Sequence, residues 1–91
     1  MNISDKEVLI TAINTYGASA QESLAAEECA ELIQAISHKH RGRPHNIVEE
    51  IADVQIMLEQ LIIINDCQNE VDKIRKEKIH RLYMRVYDEV Y

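Results

Sequence analysis

The 91 residues allow one domain, and a chain this short buries only a modest share of its surface by itself, which favours self-association. Two Gly, one Pro, no Trp, no Phe and plentiful Leu, Ile, Glu and Lys exclude a turn-rich β fold and indicate an all-α protein. The formal charge of −6 argues against adhesion to nucleic acid while leaving free nucleotides as ligands.

Ser4 with Glu7 has the spacing of a capping box, and Val8, Leu9, Ala12 and Ile13 follow before Tyr16-Gly17 closes a short first helix. Ser19 with Glu22 repeats the signature. It opens a second helix whose apolar positions run through Leu24, Ala25, Cys29, Leu32, Ile33 and Ile36 to His38 or Lys39. The run from His38 to His45 contains a Gly, the only Pro and no apolar residue, and is therefore a connection. Its basic residues Lys39, Arg41 and Arg43 would repel a cation from His38, His40 and His45. It reads as a solvated loop, or as a flexible basic lid over a polyphosphate.

Asn46 with Glu49 gives a third cap signature. The stripe Ile47, Val48, Ile51, Val54, Leu58, Leu61 and Ile62 then predicts a third helix ending near Asn65. Asp66 to Asn69 reads as a polar turn. A last helix runs from Glu70 or Val71 to about Asp88, with Val71, Ile79, Leu82, Tyr83 and Val86 on its apolar side. On the third helix Ile56 and Ile63 project opposite the main stripe. A helix apolar nearly all round is buried on several sides, so this side reads as an oligomer interface unless the first helix covers it. The N-terminus has no basic region leading an apolar run, and no stretch approaches the roughly 18 apolar residues of a membrane span. A cytoplasmic protein with no membrane attachment is expected, its Cys29 and Cys67 reduced and buried.

Two acidic clusters interrupt this pattern of core helices. Glu27, Glu28 and Glu31 lie on the second helix, and Glu49, Glu50 and Asp53 on the third. Carboxylates three apart on a helix have Cβ atoms roughly 5 to 6 Å apart. Glu28 and Glu31 therefore form one pair and Glu50 and Asp53 another, both at the border of an apolar stripe, with Glu27 further towards solvent and Glu49 on the opposite face. No Lys or Arg stands four residues after any of the four to neutralise it along the same helix. Two helices packed about 8 to 10 Å apart would bring both pairs around one volume. Oxygen donors without Cys or His favour Mg²⁺ or Mn²⁺ over Zn²⁺, and there is no twelve-residue calcium loop. The competing interpretation is two ordinary solvated helix faces, since 16 of the 91 residues are acidic.

The last helix offers the opposite charge. Lys78, Arg81 and Arg85 follow i, i+3, i+7 beside its apolar side, where they could grip phosphates or simply complement the helix dipole.

Glu28-x-x-Glu31 followed by Glu50-x-x-Asp53 resembles the signature of the MazG-like all-α nucleoside triphosphate pyrophosphohydrolases. The surrounding Ala26–Leu32 and Glu49–Val54 are similar to their two acidic helices, and Lys78-x-x-Arg81 to a segment of their last helix. The resemblance covers about Gln21 to Arg85. It implies a single four-helix domain over residues 1–91 that assembles by helix packing into a homodimer or homotetramer. It also implies Mg²⁺-dependent hydrolysis of a (d)NTP to the monophosphate and pyrophosphate in nucleotide-pool house-cleaning. Glu28, Glu31, Glu50 and Asp53 would be the metal ligands, with Lys78 and Arg81 at the phosphates; the spacing of the basic stripe, apart from the resemblance, adds Arg85 to these two. Such chemistry needs charge neutralisation and an oriented water rather than a protein nucleophile, and Glu27 or Glu31 would take the water's proton.

Two alternatives stand beside it. Phosphoribosyl-ATP pyrophosphohydrolases share the architecture, but Val54-Gln55-Ile56-Met57 stands where they carry Tyr-His after the aspartate. A non-catalytic bundle would instead use the acidic face to dock a basic partner protein.

Overall fold

The structure, a computed structural model, describes residues 3–88. It is all-α, with α1 (Asp5–Tyr16), α2 (Ala18–His40), α3 (Ile47–Asn65) and α4 (Gln68–Asp88), and no strand among the described residues. No described helix is long and apolar enough to cross a membrane.

Local chemistry accounts for most boundaries. At α1 the capping box forms: the Glu7 amide donates to Ser4 Oγ at 3.1 Å, and the Ser4 amide to Glu7 Oε2 at 3.4 Å. Gly17 ends α1 by donating to the Ile13 carbonyl at 2.8 Å, and its own carbonyl accepts the first α2 bond from the Gln21 amide. Its φ of 94° lets a single residue serve both helices. The expected Ser19 cap is therefore overturned, because α2 starts at Ala18 and Ser19 lies inside its first turn.

The second helix runs slightly past its expected end. Gly42 at φ 66° closes it in a Schellman motif, with Arg43 N–H on the His38 carbonyl and Gly42 N–H on that of Lys39. At α3 the Asn46–Glu49 cap signature fails: Asn46 holds the cap position without a side-chain cap, and the Ile47 amide donates to His45 Nδ1 instead. Asp66, in the left-handed region, ends α3, and the expected four-residue turn shrinks to Asp66 and Cys67 before α4.

The centre of the molecule is the α2–α3 pair, antiparallel as a short connection between packed helices requires, with α1 lying against both. Ala25 and Ala35 from α2 and Val54 and Met57 from α3 are the buried apolar residues, and the small alanines let the two helices approach closely. Gln21, Glu50 and Gln60 are buried among them. The contact face of α3 is thus Glu50, Val54, Met57 and Gln60, rotated from the expected apolar stripe. Val48 is 79% exposed, and Ile51 and Leu58 are about half exposed. On α2, Ile33 and Ile36 are exposed as well.

The side of α3 bearing Ile56 and Ile63 faces α1, whose Val8 and Leu9 line grooves with them. The first helix lies against that side and covers it in part, leaving Ile56 47% exposed. α4 meets α3 alone, and every described residue from Asp72 to Tyr87 is exposed, including Ile79, Leu82 and Val86 from the expected inner side. Three helices pack together and the fourth extends from them. Cys29 and Cys67 are free and half-buried rather than fully buried.

Candidate metal centre

Glu50 lies in the first turn of α3, where unsatisfied backbone N–H groups favour a negative charge. It is only 7% exposed, pressed into the α2 contact rather than at the stripe border expected for it. Asn46, one turn earlier, donates its side-chain amide to Glu50 Oε1 at 2.9 Å. The other oxygen, Oε2, is buried with no hydrogen-bond partner. Across the contact, half-buried Glu28 also carries a buried, unpartnered Oε2, and Glu31 stands one turn further along α2 with its carboxylate exposed. One oxygen from each of Glu28, Glu31 and Glu50 lies within 4.8 Å of the other two.

Such crowding perturbs the carboxyls. The Glu28 pKa is raised above its ordinary value first by burial, then by the charges of Glu31, Asp53 and Glu50, with a hydrogen bond to Glu31 adding to the shift. Burial also raises that of Glu50, partly offset by the Asn46 hydrogen bond, while the charges of Glu31, Asp53 and Glu49 push it further up. Among the described residues no cationic side chain contributes to either shift.

Three of the four expected ligands therefore converge. Asp53, half-buried one turn beyond Glu50, is close enough to raise both perturbed carboxyls, yet stands outside the trio. Glu27 is exposed and lines a separate shallow groove with Tyr16, Gln21 and Leu24. Glu49 is exposed and makes none of the expected cap contact. Lys78, Arg81 and Arg85 sit on α4, which contacts neither α1 nor α2, so their own chain does not bring them to the carboxylates.

Sequence reasoning missed Asn46 as the group that orients Glu50, although the i, i+4 spacing of an amide and a carboxylate was a usable signal. It also missed buried Gln21 and Gln60, the latter with an unpartnered Oε1. No periodicity rule marks a buried glutamine.

The donor set suits a hard divalent cation. Glu28, Glu31 and Glu50, with one oxygen each within 4.8 Å of the other two, would be the residues to hold such an ion, and the two orphaned oxygens would gain the partner they lack. Second-sphere support is present in Asn46.

Fold and centre together define an all-α protein with a carboxylate cluster at a helix–helix contact. Compared with protein-family models, curated proteins and solved structures, the chain matches none.

Proposed function

We propose that the protein is a Mg²⁺-dependent nucleoside triphosphate pyrophosphohydrolase, converting a (d)NTP and water to (d)NMP and pyrophosphate. The observation that carries this reading is the Glu50 carboxylate, buried with one free oxygen and grouped with two further carboxylates, with no cationic side chain among the described residues contributing to its environment. Leaving such a group ionised is costly unless a cation completes it. Glu28, Glu31 and Glu50 hold the metal, Asp53 stands in reserve beside them, and Asn46 fixes the Glu50 rotamer. Mn²⁺, with the same preference for oxygen donors, substitutes.

When bound, the metal supplies neutralisation of phosphate charge and a lowered pKa for coordinated water. The chain's own part is positional. Buried Glu50 and half-buried Glu28 give the centre a rigid floor, and exposed Glu31 faces solvent, where it can accept a proton from the attacking water. That water forms a bond to the α-phosphorus while the bond to the bridging oxygen breaks, and pyrophosphate leaves with the electron pair. Glu27 is less suited to this role, because it lines a groove apart from the trio.

The working form is a homo-oligomer, a dimer or a tetramer, acting on the cytoplasmic nucleotide pool as a house-cleaning enzyme. The test is incubation of the pure protein with each (d)NTP and Mg²⁺, with detection of pyrophosphate and monophosphate. At least one nucleotide should be turned over. Turnover of none would favour a non-catalytic docking protein.

A further inference from the structure

Gln21 and Gln60 are buried in the α2–α3 contact, each only 5% exposed, and neither belongs to the carboxylate trio. Their positions relative to it follow one rule. Gln21 stands seven residues before Glu28 on α2, and Gln60 seven residues after Asp53 on α3. Seven residues are close to two helical turns, so each glutamine shares a stripe with its acidic residue, about 10 Å along the axis. Because the two helices run antiparallel, both displacements point the same way, towards the start of α2 and the end of α3.

That stretch of α2 borders a groove of about 460 Å³ whose lining includes Tyr16, Gln21 and Leu24. Leu24 stands seven residues before Glu31, so the groove and the exposed carboxylate share one side of α2. Tyr16, the last residue of α1, edges the groove with a side chain 69% exposed. On the α3 side, Gln60 Oε1 is buried without a hydrogen-bond partner, a costly state until a donor reaches it.

These groups suit one part of a nucleotide. A side-chain amide carries a donor beside an acceptor, as the hydrogen-bonding edges of nucleobases do, and an aromatic ring stacks on any base. Charge sets the direction. The opposite end of the contact is the connection from α2 to α3, which carries exposed Lys39, Arg41 and Arg43 and favours a polyphosphate tail. The uncharged base is left to the glutamine end.

We infer that this groove is a nucleobase subsite, in which Tyr16 stacks on the base and Gln21 and Gln60 make the hydrogen bonds that decide which base is accepted. With the α-phosphate at the carboxylates, two helical turns match the reach of a sugar and base. The choice of a nucleotide as ligand rests on the proposed hydrolase activity; the subsite names the part of the substrate that the carboxylates do not touch.

NMR of the glutamine side-chain amides and tyrosine rings locates the base without reference to turnover. The deoxynucleoside monophosphates of adenine, cytosine, guanine, thymine and uracil are titrated in turn with Mg²⁺ present. At least one should shift the Gln21 and Gln60 amide signals together with the Tyr16 ring signals. Shifts confined to other residues, or no shift with any of the five, overturn the inference.

Kinetics gives the second readout. Gln21→Met and Gln60→Met each remove the amide from an unbranched side chain of the same length. Each should lower kcat/KM for the preferred nucleotide about 5- to 150-fold, the range for a buried hydrogen-bonding group left unmade. The ratio between the best and poorest nucleotide should narrow accordingly, with Mg²⁺ affinity by calorimetry unchanged. Tyr16→Ala should raise KM about 5- to 150-fold for every nucleotide, and Tyr16→Phe should restore it. An equal loss for all nucleotides in both glutamine variants would mean a structural role only and contradict the subsite. If the monophosphates shift these signals and wild type hydrolyses no nucleotide, the subsite stands and the catalytic proposal falls; hydrolysis with shifts elsewhere gives the reverse.

Discussion

Asn46 Nδ2 and Glu50 Oε1 lie 2.9 Å apart, one helical turn from each other, and this bond divides the roles of the Glu50 oxygens. One is committed to holding the rotamer; the other is buried and free. A residue that by type and position reads as a helix cap instead orients the central carboxylate.

Asn46→Ala should weaken Mn²⁺ or Mg²⁺ binding by about 10- to 100-fold, the usual cost of removing a group that orients a metal ligand. Titration calorimetry measures this, with helical content by circular dichroism as the control. An unchanged affinity would remove Asn46 from the account.

The perturbed carboxyls give the metal-free protein a particular pH dependence. Glu28 and Glu50 have folded-state pKa values above the ordinary 4.5. The stability linked to them is therefore fully present below about pH 4.5 and is lost as pH rises through the raised values. Thermal melts without metal should show a gain in Tm on acidification from pH 7 towards 5, and saturating Mg²⁺ should flatten that gain. Glu50→Gln, which keeps the oxygen facing Asn46 and removes the charge, should raise the metal-free Tm at pH 7 while abolishing the Mg²⁺ response. A metal-free protein that loses stability over this acidification, with Glu50→Gln no more stable than wild type, would contradict the buried-charge assignment.

Two glutamates compete for the water's proton. Glu31→Gln should lower kcat by about 10²- to 10⁴-fold, the range for losing a general base, with a further loss from weaker metal binding. Glu27→Gln should stay within a few-fold of wild type, because Glu27 lies outside the trio. Equal losses in both variants, at saturating metal, would place the base elsewhere.

Gly17 links α1 to α2 in a conformation that side chains resist. Gly17→Ala meets no neighbouring atom within 4 Å, so its cost is conformational alone. A loss of about 1–3 kcal/mol in denaturant unfolding is expected from the strained φ of 94°. No change would mean that the turn relaxes to another geometry.

Reading the sequence located helices well where the boundary depends on a local rule. Ser4 with Glu7, Gly17 and the Gly42–Pro44 segment marked their ends because short-range hydrogen bonds and φ preferences decide them. Ser19 and Asn46 misled for a related reason: a cap residue has several local partners, and at Gly17 and Glu50 another arrangement won. Register between helices was less legible. The α2–α3 contact turns on Ala25, Ala35 and buried Glu50 rather than on the most apolar line of α3, so Ile51 and Leu58 face outward. The acidic trio was readable because its i, i+3 spacing and opposite helices needed only one packing step. The separation of Lys78 and Arg81 from it depended on where α4 runs after a two-residue turn, which spacing does not encode.

Hydrolysis in ¹⁸O-labelled water, with products resolved by ³¹P NMR and mass spectrometry, tests the central claim most directly. The account predicts Mg²⁺-dependent release of unlabelled pyrophosphate and a nucleoside monophosphate carrying one ¹⁸O, lost in Glu50→Gln. Release of inorganic phosphate as the first product, label in the pyrophosphate, or no hydrolysis of any (d)NTP would contradict it.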